Sequence, residues 1–232
     1  MRKLALLAVL LGAIGVSWIA WRDRSPAAGI REIAAPIVIK QPVNFATRTF
    51  DPANPPSDMP PLTPGENAEC DSDFISNAIL GGQTRRTDAT HGAITITQIS
   101  VKLQLTITIW VPEGVTQHVI DHEEGHRRIS EYYYQNAGNL AGRIASTYMG
   151  REVELTGEDL NAESHNALQQ MAAEVTDEYN RELNPEPTQL LYDTITDHSR
   201  NEVIAQDAVD HALKNVAIES PQPASLEQPD SR

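Results

Sequence analysis

The sequence predicts an α+β domain in which a small antiparallel sheet precedes a long helix and two further helices. Three observations carry that reading. Residues 93–111, "AITITQISVKLQLTITIWV", are dominated by β-branched residues and place an apolar residue at every second position, the period of a strand. From Thr116 the apolar period changes to that of a helix and holds until Gly150. Two more stretches of helical period follow, one over residues 158–183 and one through Val203, Ala208, Val209 and Leu213.

Before the sheet, residues 4–21 form an uncharged, mostly apolar run between Arg2-Lys3 and Arg22-Asp23-Arg24. The run is just long enough to cross a bilayer core, which predicts a signal anchor or transmembrane helix over residues 1–24. The positive-inside rule leaves its N-terminus in the cytoplasm, so the expected location is the inner membrane with the domain facing the periplasm. A secreted form follows instead if the segment is cleaved, and the membrane is a partner through this helix only. Residues 25–64 are rich in proline and predict an extended linker, in which "PIVIKQPVNF" is at most a short edge strand. The domain itself is expected over residues 65–218, and the polar, proline-containing residues 219–232 as a disordered tail.

Lys plus Arg total 18 against 32 Asp plus Glu, a formal net charge of -14, and that acidity excludes nucleic acid as a partner. Cys70 is the only cysteine, so no intrachain disulfide can form.

Within the strand-forming stretch the apolar residues keep one phase at Ile94 and Ile96 and the other from Ile99 to Ile109. The shift near Gln98 predicts a bulge or a turn between two strands, and residues 79–92, "ILGGQTRRTDATHG", carry loop chemistry. The strand that leads into the long helix is a candidate for pairing with an extended peptide.

The long helix contains H-E-x-x-H as His122, Glu123, Glu124, Gly125 and His126. Positions i and i+4 lie one turn apart on one face, so both imidazoles can reach one zinc ion at about 2.0 to 2.1 Å. Both continue the apolar stripe of Ile129, Tyr133, Ala137, Leu140, Ile144 and Tyr148. Glu123 then projects beside the pair, where a carboxylate can take a proton from a zinc-activated water and pass it to a leaving amine. The plain alternative is two core histidines one turn apart. His118 is eight residues from His126, roughly 12 Å along the axis, too far to share an ion with it. Gly125 weakens the helix by up to about 1 kcal/mol relative to alanine and either admits a close neighbour or is simply tolerated.

A catalytic zinc normally takes three protein ligands. The metzincin continuation is absent, since Ile129 and Tyr132 stand where Gly and His would be required. A carboxylate from the second helix, Glu174 or Glu178, is one source of the third ligand. The other is "YDTITDHS", residues 192–199. Together, "HEEGH", Trp110 before the helix, and Tyr192, Asp193, Thr196 and His198 resemble a family of predicted secreted bacterial zinc-dependent proteases of uncharacterised function. The family carries Gly after its final His, where this chain has Ser199.

The resemblance implies a zincin-like arrangement with a single Zn2+ held by His122, His126 and His198, Glu174 remaining the alternative third ligand. Asp193 and Asp197 are candidates for orienting the ligand imidazoles, and Tyr192 for hydrogen bonding to an oxyanion or for packing. The expected function is a zinc metallopeptidase hydrolysing peptide bonds of a peptide or protein substrate in the cell envelope, with Glu123 catalytic. A catalytically inactive zincin-like periplasmic binding module is the alternative, and the two separate at Glu123.

Overall fold

The computed structural model describes residues 35–62 and 65–219. In chain order these form β1 (Ile37–Lys40), β2 (Asn44–Phe50), β3 (Glu69–Arg86), β4 (His91–Pro112), α1 (Gln117–Tyr148), β5 (Glu152–Thr156), α2 (Leu160–Glu182), α3 (Glu186–Thr196) and α4 (Ala205–Glu219). The expected anchor and most of the expected tail lie outside the described residues.

The sheet is organised around β4, whose alternation of β-branched residues suits a strand with one covered face. Ile99, Val101, Leu103, Leu105, Ile107 and Ile109 are all buried on that face. Along one edge β4 pairs antiparallel with β3 over almost its whole length. Ser100 pairs with both Ile79 and Ile37, and Thr106 with both Asp73 and Asn44, so β1 and β2 must lie on the edge opposite β3. Both run parallel to β4, while β5 pairs antiparallel with its first residues on that same edge.

This corrects the expected fold class. In place of a small antiparallel sheet there is a five-stranded mixed sheet with two parallel pairings, and three helices rather than two follow α1. Two of the strands come from residues 25–64, expected as a linker: β1 lies within the short edge strand allowed over "PIVIKQPVNF", and β2 runs on beyond it. Pro36 and Pro42 sit just outside β1 and β2, where the missing N–H interrupts no ladder, so the prolines bound these strands instead of preventing them. The pairing of β4 with substrate is corrected as well, because strands occupy both of its edges.

The phase shift near Gln98 is a bulge within one strand. Gly81 pairs with Gln98 and Gly82 with Ile96, which leaves Thr97 as the extra residue. Glycine is required at 82, since a Cβ there would lie 2.7 Å from Ile94 Cγ1 and 2.8 Å from the Thr95 carbonyl oxygen. Residues 79–86, expected as loop, therefore extend β3.

The core lies between the covered face of the sheet and the helices. Ile144, Ala141, Ala137 and Tyr134 of α1 and Met171, Val175 and Tyr179 of α2 pack on the β4 row. A smaller cluster joins α3 and α4 to α1 through Ile129, Tyr192, Val209 and Ala212.

Among the described residues no helix is long and apolar enough to cross a membrane. The correction to the expected inner-membrane, periplasm-facing location and transmembrane helix is that no described helix supports them, residues 1–24 lying outside the described residues.

Candidate metal centre

α1 begins after Thr116 and ends at Tyr148, as its apolar period predicts, and places His122, Glu123 and Gly125 on its buried side. His122 and Glu123 are each 4% exposed. The two histidines meet edge to face, with Nε2 of one 3.2 Å from Nε2 of the other.

The third group at this point is Asp193, from α3. Its Oδ1 lies 2.9 Å from His126 Nε2 and 3.4 Å from His122 Nε2. Three ligands about 2.0 to 2.1 Å from a tetrahedral ion stand roughly 3.3 to 3.4 Å from one another. The triangle of 3.2, 2.9 and 3.4 Å is close to one face of such a tetrahedron. Asp193 Oδ1 is also buried without an aligned hydrogen-bond partner among the described residues, which is costly for a carboxylate unless a cation sits against it. His122, His126 and Asp193 thus form a group able to hold a metal ion.

The surroundings fix these side chains. Gln189, one turn before Asp193 on α3, accepts from His126 Nδ1 at 2.6 Å, and its amide nitrogen donates to the His126 carbonyl at 3.2 Å and to Ser130 Oγ at 3.1 Å. With Nδ1 donating to Gln189, Nε2 is the nitrogen that His126 turns to the other two groups. Tyr192 stacks on the His122 ring, with centroids 5.0 Å apart, and meets the His126 ring edge to face at 4.9 Å. Its hydroxyl donates to the His122 carbonyl at 3.0 Å and is fully buried, so Tyr192 is a packing residue and does not face a substrate oxyanion.

Electrostatics follow from burial and crowding. Burial pushes the Glu123 carboxyl up to about 8; His126 opposes this, while Glu69, Glu66 and Asp193 add to it. Glu69 is likewise raised to about 7, by burial first and then by Glu66. Burial lowers His122. Burial acts against charge on Asp193 too, but the adjoining imidazoles of His122 and His126 outweigh it and hold the carboxyl well below the usual range. His126 moves the other way to about 9, its burial overcome by the Asp193 carboxylate.

His198 is placed differently from the expectation. It follows α3 in a turn where Asp197, His198 and Ser199 all adopt positive φ, and its Nδ1 is 2.8 Å from Glu66 Oε1 and 3.9 Å from Asp193 Oδ1. It groups with Glu66 and Asp193 and not with the two helix histidines. The carboxylates of the second helix are engaged elsewhere: Glu174 accepts from Gln170 and Glu178 from the Tyr148 hydroxyl. His118 lies outside the group, and its buried Nε2 has no hydrogen-bond partner among the described residues.

Sequence reasoning assigned Asp193 an orienting role and missed Gln189 and Glu66. The signal for the first two was their spacing of four on what proves to be a helix. "NPEP" obscures it, since its prolines end α2 and Pro187 also stands in the first turn of α3, where proline is favoured. No protein-family model, curated protein or solved structure matches the chain.

Proposed function

We propose that the chain is a zinc-dependent metallopeptidase in which His122, His126 and Asp193 hold the ion and Glu123 acts as the base. The observation that carries this reading is the convergence of the three ligand atoms at tetrahedral spacing, with Asp193 Oδ1 buried and otherwise unpartnered. A zinc ion bound there would lower the pKa of a water towards 7 and polarise a scissile carbonyl.

Glu123, next to His122 in sequence and held out of solvent, takes the proton of the attacking water and returns it to the leaving amine. Its raised affinity for a proton reflects burial among carboxylates, and a dication beside it would restore the charged form that a base requires. Gln189 keeps Nε2 of His126 available, and Tyr192 fixes the plane of the His122 ring. The peptide-bond specificity rests on the resemblance carried by "HEEGH" and "YDTITDHS".

Two variants test the assignment. Asp193→Asn is expected to weaken zinc binding by more than the roughly 10- to 100-fold typical of an outer partner. Glu123→Gln is expected to keep zinc and lose cleavage of a peptide library. Wild-type zinc affinity in Asp193→Asn would refute the ligand set, and undiminished cleavage by Glu123→Gln would refute the base.

A further inference from the structure

We infer that the site takes a second divalent cation, held by Glu66, Asp193 and His198, with the Asp193 carboxylate shared between the two ions. This rests on the centre proposed above and extends it. Glu66 Oε1, Asp193 Oδ1 and His198 Nδ1 all lie within 4.8 Å of one another, and the three side chains are 18%, 14% and 34% exposed, so the group stands at the mouth of the first one.

A hydrogen bond between His198 and Glu66 accounts for those two residues, whereas Asp193 belongs to both groups. Its Oδ1 has three imidazole nitrogens around it, at 2.9, 3.4 and 3.9 Å, and no aligned hydrogen bond. A carboxylate common to two ligand groups is the arrangement of a bridge between two metal ions, which lie about 3.5 to 4 Å apart in such centres.

Two carboxylates and one imidazole make a harder donor set than two imidazoles and one carboxylate. The outer site therefore suits Mn2+ as well as Zn2+.

The test uses the full chain, stripped with a chelator and dialysed against Zn2+ or, separately, Mn2+, with metal per chain read by mass spectrometry. Wild type is expected to hold two ions and His198→Ala and Glu66→Gln one each. The Mn2+-loaded wild type should give a spin-coupled electron paramagnetic resonance signal that both variants convert to a single-ion spectrum. Glu66→Gln guards against a folding defect, because it preserves size on a loop.

One ion in wild type, unaffected by either variant, overturns the second site and leaves the first standing. One ion that His198→Ala abolishes also overturns it, moving His198 onto the first ion. Two ions that both variants retain place the extra one elsewhere. No ion at all removes the peptidase reading together with this one.

Discussion

At position 125, inside H-E-x-x-H, helix propensity and packing pull in opposite directions. Alanine would gain up to about 1 kcal/mol over glycine in a helix interior. A Cβ there, however, would overlap Oη and Cζ of Tyr192, a side chain that is fully buried and whose hydroxyl bonds the His122 carbonyl. Overpacking costs about 1 to 3 kcal/mol, and a displaced buried hydroxyl adds about 1 to 3 kcal/mol more. Packing wins, so Gly125→Ala is expected to lower stability by about 2 kcal/mol and to loosen metal binding, read from urea unfolding and zinc titration. Greater stability in that variant would mean that Tyr192 does not pack where the structure has it. The motif was legible from spacing alone. The reason for its glycine was not, because the residue that needs the space lies 67 positions away.

At the scale of the element, α3 and the turn after it set the site. Asp197, His198 and Ser199 have φ of 48°, 51° and 64°, a left-handed run without glycine. Each such residue costs about 1 to 2 kcal/mol relative to ordinary backbone, while glycine adopts the conformation freely at the expense of some unfolded-state entropy. Ser199→Gly is expected to stabilise the protein by about 0.5 to 1 kcal/mol, a rise in thermal midpoint with metal content unchanged. A fall would show that Ser199 earns its strained backbone through contacts of its own. Elements with a strong local period, α1 and the two phases of β4, were legible to within a few residues. α3 was hidden by prolines taken as breakers. β1 was legible only as a short edge strand and most of β2 not at all, because a parallel pairing with β4 depends on residues some 60 positions downstream, which no local pattern encodes.

Across the whole molecule, the segment before β3 decides whether the sheet is closed on both sides of β4. β1 and β2 cover Ser100–Leu103 and Thr106–Pro112 on the edge that β3 leaves open. Around them Tyr134 donates to the Gln41 and Leu103 carbonyls, Lys40 lies over the Tyr134 ring, and Phe50 is buried. Removing the segment takes away a row of ladder bonds worth about 0.5 to 1.5 kcal/mol each and opens the apolar β4 edge to pairing with another chain. A chain begun at Gly65 is therefore expected to be less stable than one begun at Ala35 by at least about 3 kcal/mol and to self-associate. Hydrogen exchange locates the effect. Amides of β4 directed at β1 and β2 should lose protection, while those directed at β3 keep it. Equal stability of the two chains, or protection lost evenly along β4, would mean that residues 35–50 are the detachable linker that their prolines suggest. The same measurement bears on the metal centre, because β1 packs on α1 through Val38 and α1 carries His122, Glu123 and His126. If the sheet edge holds that helix in place, zinc affinity should fall in the shorter chain although every ligand is still present.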